Sequence, residues 1–280
     1  MMKGLEKKFT VQANWKMNKT LSQSIDYVQA MNRGCQQLNP QIEVILCMPF
    51  TSLAIASKEV RFPQLSIGAQ NVHEKEEGAY TGEISAPMLA DVGCQYCVVG
   101  HSERRQYFGE TDALVNQKAK ALLRAGIAPV LCIGETLKER RKGLTLNQLE
   151  RQAIVCLEDF SHEEMSQTVI LYEPIWAIGT GNVASPQQAQ EALAFIRQML
   201  EKIFSRGTAQ RTRILYGGSV NLDSLPALVQ QKDVDGVGVG SASWDVHNFL
   251  KIVRSFARTV SPSQKSSGSA GSGPRPSRRR

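Results

Sequence analysis

A chain of 280 residues with 42% hydrophobic content is long enough to bury a large core, either as one big α/β domain or as two ordinary ones. No apolar run approaches a membrane span, and the opening MMKGLEKKFT carries charge with no apolar signal core behind it, so a cytoplasmic protein with no membrane partner is expected. Of the net charge of +7, five cations (Lys265, Arg275, Arg278, Arg279 and Arg280) lie beyond Thr259 with no acid among them, which leaves only two for the body.

From the amino end, the first strand-like segment is FTVQAN (9–14), followed by NWKMNKT and a helical stretch that Thr20 and Gln23 open as a capping box before Ile25. IEVILCM (42–48) and LSIGAQ (65–70) are the next two strands, and a polar loop, QNVHEKEEGAYTGE (70–83), follows them. YCVVG (96–100) is the fourth and runs directly into His101 and SERRQYF, which reads as the first turns of a short helix. Cys94 and Cys97 form a C-x-x-C, but the first runs into a strand rather than a helix start. No second pair completes a zinc site, and two structural thiols are expected. IAPVLC (127–132) comes next, then a third helical stretch that Thr145 and Gln148 are expected to cap before Leu149.

TVILYE (168–173) carries no charge until Glu173, as suits a strand covered on both faces, and Pro174 ends it by removing a ladder donor. Behind it come the apolar residues Trp176, Ala177 and Ile178 and the permissive Gly179 and Gly181. Read alone, this stretch fits either a lid with two joints or a buried turn whose Trp fills a gap. A helix over 186–204 follows, with Ser185 and Gln188 as capping box, Pro186 at its first position, and Ala189, Leu193, Ile196, Leu200 and Ile203 on one face. RILYG (213–217) and DGVGVG (235–240) are the last strands. From 259 to 280 the Ser/Gly/Pro-rich composition predicts a disordered basic tail, the one place where nucleic acid or an anionic surface could be touched.

Eight βα units in about 250 residues predict a single-domain (β/α)8 barrel over 1–258. A doubly wound sheet is the rival. Its dinucleotide fingerprint is absent after the first strand, and Gly236, Gly238 and Gly240 approach it only at the last strand, with Ser241 where the third glycine belongs. In a barrel the carboxyl ends of all strands open onto one face, and those ends supply Asn14, Lys16, His101, Glu173, the turn YGGSV (216–220) and the turn VGSAS (239–243). Glycine-rich turns after the seventh and eighth strands suit a phosphate, so a small phosphorylated substrate is expected. Taken singly each group has an ordinary reading: His101 as a core histidine, Lys16 as a surface cation, each glycine turn as a tight connection. His73, His101, His162 and His247 are isolated in sequence, so neither a metal site nor a cofactor is expected. Together, one carboxylate and one imidazole suit proton transfer. Glu173 could take a proton from the carbon beside a carbonyl, and His101, kept neutral by the positive end of its helix, could serve the resulting oxyanion.

The blocks ANWKMN, GHSERR, YEPIWAIGTG and YGGSV, in this order and over roughly residues 9 to 258, resemble the triosephosphate isomerase family. That resemblance implies a TIM barrel and the cofactor-independent interconversion of dihydroxyacetone phosphate and glyceraldehyde 3-phosphate, with a place in glycolysis and gluconeogenesis. By position it makes Glu173 the base and His101 the neutral electrophile, with Lys16 and Asn14 at the substrate oxygens. Gly179, Ser219, Gly240 and Ser241 become phosphate donors through their N–H groups, and Pro174 to Thr180 becomes a water-excluding lid. It further implies a homodimer in which the 70–83 loop enters the partner's site, with Thr81 near the partner's Asn14. Two departures stand out. The family usually has Gly-Gly where Gly240 and Ser241 stand, and often Lys-Thr where this chain has Asn182 and Val183. Ser241 would weaken phosphate binding only if its backbone needs a positive φ. Two competing readings are a Schiff-base aldolase with Lys16 as nucleophile, and an inert barrel carrying an anion-binding tail.

Overall fold

The structure, a computed structural model, describes residues 9–178 and 183–260. All eight expected strands form: β1 (Phe9–Asn14), β2 (Ile42–Cys47), β3 (Leu65–Ala69), β4 (Tyr96–Val99), β5 (Ala128–Ile133), β6 (Val169–Tyr172), β7 (Arg213–Tyr216) and β8 (Gly236–Val239). Each pairs in parallel with its sequence neighbour, and β1 pairs in parallel with β8, so the sheet closes into a barrel and the open-sheet rival is excluded. The closing seam depends on one residue type. A Cβ on Gly236 would lie 2.1 Å from the Thr10 carbonyl oxygen, a distance only glycine tolerates. Gly236 and Gly238 thus belong to the strand itself, not to a dinucleotide turn.

The strands are buried on both faces, and the period-two alternation sorts them. Val44 and Leu46 of β2 pack outward against the helices, whereas Ile45 and Cys47 point inward with Val98, Val130, Cys132, Leu171 and Leu215 to fill the barrel. All six cysteines are free and buried. Burial pushes the Cys94 thiol up to about 12 and that of Cys97 well above its usual value, which fits structural rather than reactive thiols.

Among the helices, Leu21–Gly34 opens as expected, with the Thr20 N–H donating to Gln23 Oε1 at 2.9 Å, and Pro186–Ile203 carries the Ser185/Gln188 box. Ile203, expected on the buried face, is exposed, because that face ends at Met199 and Leu200. The Thr145/Gln148 box does not form. Leu144 is the N-cap, Thr145 is already helical, and its hydroxyl turns to Glu135 Oε1 at 3.5 Å. The boxes that do form in that region are Thr136/Glu139 and Ser161/Glu164. The last helix, Val246–Val260, carries Thr259 and Val260 beyond the expected boundary at 258, and the rest of the basic tail lies outside the described residues. No helix among the described residues is long and apolar enough to cross a membrane.

The amino-end half of the barrel is plugged by a polar cluster that has no local sequence signature. Arg213 Nη1 meets Glu43 Oε2 at 2.6 Å and donates to Thr10 Oγ1 at 2.9 Å, while Nη2 donates to the Tyr96 hydroxyl at 2.9 Å. Tyr96 and Ser66 hydroxyls donate to the two Glu43 oxygens, each at 2.8 Å. Removing one member of such a buried pair strands the other charge, which costs about 3–5 kcal/mol, whereas replacing both with apolar groups can be nearly neutral. Arg213→Leu should therefore lower unfolding free energy by about 3 kcal/mol or more in urea titrations. Adding Glu43→Leu should recover a large part of that loss. Additive losses in the double variant would show that the cluster is not acting as a charge pair.

Candidate active site

The carboxyl ends of the strands converge on a cavity of about 150 Å³. Asn14, Lys16, His101, Glu173, Ser219, Gly240 and Ser241 all line it, so seven of the eight expected site residues are brought together. The eighth, Gly179, lies outside the described residues.

His101 follows β4 and caps the Ser102–Phe108 helix, its Nδ1 accepting the Glu103 N–H at 3.2 Å. With its lone pair so engaged, Nδ1 carries no proton, and the ring's N–H is Nε2. That nitrogen lies 3.1 Å from Glu173 Oε1. The other carboxylate oxygen of Glu173 accepts the Ser102 N–H at 2.9 Å. Both side chains are buried, so this pair works in a low-dielectric setting where each hydrogen bond counts for more than it would in water.

The cation is placed from the other side. Asn14 ends β1, and its Oδ1 accepts the Lys16 N–H at 3.0 Å and a Gln70 amide N–H at 3.1 Å. Gln70 Nε2 also reaches the Lys16 carbonyl at 3.0 Å. These bonds hold Lys16 at φ +53°, a left-handed backbone that costs a non-glycine residue about 1 kcal/mol or more. Lys16 Nζ then extends across the mouth to Glu103 Oε1 at 2.6 Å.

Past Glu173 the chain is tied down. Pro174 precedes a single 3-10 turn, Ile175–Ala177. The Trp176 indole N–H donates to Glu135 Oε1 at 2.8 Å, the Arg140 guanidinium stacks 4.4 Å over its ring, and the Ser219 hydroxyl donates to the Ala177 carbonyl at 2.6 Å. This first half is a packed turn, and Ile178 lines the cavity. At the same rim, after β8, Ser241 begins a 3-10 turn. Outside glycine, positive φ among the described residues is confined to Lys16, Lys19 and Asp159, so Ser241 sits without strain where a glycine was expected.

A buried carboxylate and imidazole in contact at the carboxyl-end rim give this closed (β/α)8 barrel the site geometry of a barrel enzyme. The family model described as triosephosphate isomerase matches residues 9–256. Proteins named triosephosphate isomerase are similar over most of their length: that of Endomicrobium trichonymphae is 46% identical over 241 residues, covering 86% of this chain and 96% of its own. Those of Alkaliphilus metalliredigens and Aquifex aeolicus are each 43% identical, covering 87% and 88% of this chain and 97% and 98% of theirs. The chain belongs to the triosephosphate isomerase family.

Sequence reasoning missed the residues that hold the site residues in place. Ser102 and Glu103 act through backbone N–H groups, which carry no sequence signal beyond the helix start. Gln70 was read only as the end of a strand and the first residue of the 70–83 loop. Gly134 is the sharpest omission. A Cβ there would lie 1.7 Å from the Glu173 carbonyl oxygen, so glycine is what lets the chain after β5 pass against the backbone of the carboxylate. Gly134→Ala must push that backbone aside, and a displacement near 1 Å costs on the order of a hundredfold in rate. Steady-state assays should show such a fall in kcat with an unchanged circular-dichroism spectrum, and a kcat within threefold of the parent would show that Glu173 is not held by this contact.

Proposed function

We propose that Glu173 is the base and His101 the electrophile in the reaction of this triose-phosphate isomerase, the interconversion of dihydroxyacetone phosphate and D-glyceraldehyde 3-phosphate. The observation that carries this reading is the 3.1 Å approach of His101 Nε2 to Glu173 Oε1 at a cavity walled by two glycine turns. A substrate must enter between them, so the carboxylate leaves its bond to the Ser102 N–H and turns to the carbon beside the carbonyl. It removes that proton and returns it to the adjacent carbon. In between, His101 gives its Nε2 proton to the oxygen that was the carbonyl and takes one back from the neighbouring hydroxyl oxygen, which becomes the new carbonyl, while the Glu103 N–H keeps Nδ1 unprotonated. The proton ledger closes without a cofactor.

Lys16 supplies positive charge at the same oxygens, and Asn14, whose Oδ1 is already engaged, is left with its amide N–H groups to donate. The phosphate is held by the N–H groups of Ser219, Gly240 and Ser241, with Gly179 as the further donor, and the Pro174–Thr180 segment excludes water from the enediolate. The Schiff-base and scaffold readings draw no support from the family match. Glu173→Gln should cut kcat by at least a hundredfold or so while leaving the melting temperature close to the parent's. Near-normal turnover in that variant removes Glu173 from the mechanism.

A homodimer completes the reading. Beside the site a second cavity of about 300 Å³ is lined by Asn14, Lys16, Met17, Phe50, Glu103 and Phe108 among others. Met17 is 96% and Phe108 67% exposed, an apolar surface that suits burial against a second copy. The 70–83 loop offers the matching part. Its tip turns at Gly78 and Gly82, both at positive φ, with Tyr80 packed 4.2 Å from His73, which supports the placing of Thr81 near the partner's Asn14. Thr81→Arg is then expected to shift sedimentation toward the monomer and to lower activity at least tenfold or so. A fully active variant that remains dimeric would place the interface elsewhere. The free, buried thiols support a reducing, cytoplasmic setting, and the basic residues past 260 lie beyond the family match, which ends at 256.

A further inference from the structure

Inside the barrel, the side chains of Ile45, Cys47, Val98, Val130, Cys132, Leu171 and Leu215 form an apolar layer, and one residue breaks it. Gln12 lies one layer below Asn14 on β1, lines the catalytic cavity, and is 1% exposed, so it faces the narrow bottom of that cavity rather than open water. Its Nε2 donates to Cys47 Sγ at 3.1 Å, and burial pushes that thiol up to about 12, which leaves an uncharged sulfur as a weak acceptor. Its Oε1 is buried with no hydrogen-bond partner. Across the seam Gln12 is in register with Gly238, which also lines the cavity, and a Cβ on Gly238 would come within 3.5 Å of Gln12 Oε1 and 2.8 Å of Leu171 Cδ1. The carboxamide oxygen thus leans over a glycine, beside Leu171, at a place in the layer where side-chain volume is missing.

A leucine would fill this position without a polar penalty, whereas a buried carbonyl left unpaired costs about 1–3 kcal/mol. An acceptor kept at the foot of a binding cavity is satisfied when a donor is delivered there. We propose that Gln12 is a specificity-determining residue whose Oε1 accepts a hydrogen bond from the hydroxyl of the bound triose phosphate. The inference rests on the isomerase reading of the cavity, whose substrates present one free hydroxyl beside one carbonyl. His101 Nε2 and Lys16 serve an oxygen as donors. Gln12 is the acceptor that an O–H requires, and it distinguishes a hydroxylated three-carbon phosphate from a deoxy one.

The test is binding, not turnover. Calorimetric titration of the parent protein and of Gln12→Met with glycerol 3-phosphate and with propyl phosphate compares two ligands that share the phosphate and differ in hydroxyls. The expected result is a fall of about fivefold to tenfold in the affinity ratio of the first over the second, with propyl phosphate bound about as before. A ratio within twofold of the parent's overturns the proposal, as does an equal loss for both ligands, which marks a purely structural side chain. Should Gln12→Met fail to fold, a crystal structure of the parent protein with glycerol 3-phosphate decides. A ligand oxygen about 3 Å from Gln12 Oε1 supports the assignment, and an intervening water or a longer gap refutes it. A parent protein that isomerises triose phosphate yet shows no such contact refutes the role of Gln12 alone, whereas one with no turnover and no affinity for either ligand refutes the isomerase reading itself.

Discussion

The start of the Ser102–Phe108 helix does more for this site than any single side chain. Two consecutive residues there present backbone and side-chain groups that engage the carboxylate, the imidazole and the cation of the cavity. The Ser102 N–H holds the Glu173 carboxylate, the Glu103 N–H selects the tautomer of His101, and the Glu103 carboxylate receives Lys16. Such N–H groups are unsatisfied at any helix start and are predisposed to negative charge, so a carboxylate is a natural occupant and an imidazolium is not. Glu173, His101 and Lys16 share one reference, and a shift of this turn would disturb all three together.

That reference is itself anchored from below. Arg105, in the same short helix, donates to the carbonyls of Gly100 at 2.7 Å and Cys132 at 3.1 Å and pairs with Asp112, while Arg104 pairs with Glu110, which also takes Lys118. Buried pairs of this kind add little net stability, because desolvation cancels much of their attraction, but each is costly to break. Their use here is geometric. A helix of seven residues could not hold its own position by packing alone, and the arginines fix its angle against β4 and β5. On the facing side the positive φ of Lys16 is sustained by hydrogen bonds with the Asn14 and Gln70 amides.

How much of this can be read in advance depends on the range of the interaction. The strands were legible because parallel, doubly covered segments read as short apolar runs, and the site residues were legible because a barrel sends every strand's carboxyl end to one rim. Capping was only half legible. Thr20 and Ser185 cap as their spacing suggests, but Thr145 satisfies the same pattern and is drawn off by Glu135, ten residues earlier in the chain. Gly134, Gln12 and the Arg213–Glu43 plug were illegible for a stronger reason. Each owes its role to a partner 35 or more residues away, and no local pattern distinguishes a glycine that admits a neighbouring backbone from one that merely turns. Ser241 makes the converse point: its backbone lies outside the left-handed region, so the position does not require a glycine's conformation.

The stretch after β6 shows why its gap-filling reading holds for the residues next to Glu173. Glu135 is fully buried, and its carboxylate is met by the Tyr172 hydroxyl at 3.0 and 3.1 Å, the Trp176 indole at 2.8 Å and Arg140 at 3.2 Å. A charge so placed cannot lose one of these donors cheaply, because no water stands ready to replace it. Trp176 is therefore part of the scaffold, and the gap-filling reading describes the proximal half of the segment. Ser219, at the β7 turn, bonds the Ala177 carbonyl at 2.6 Å, so the turn that lines the cavity and the packed 3-10 turn after Glu173 hold each other in place.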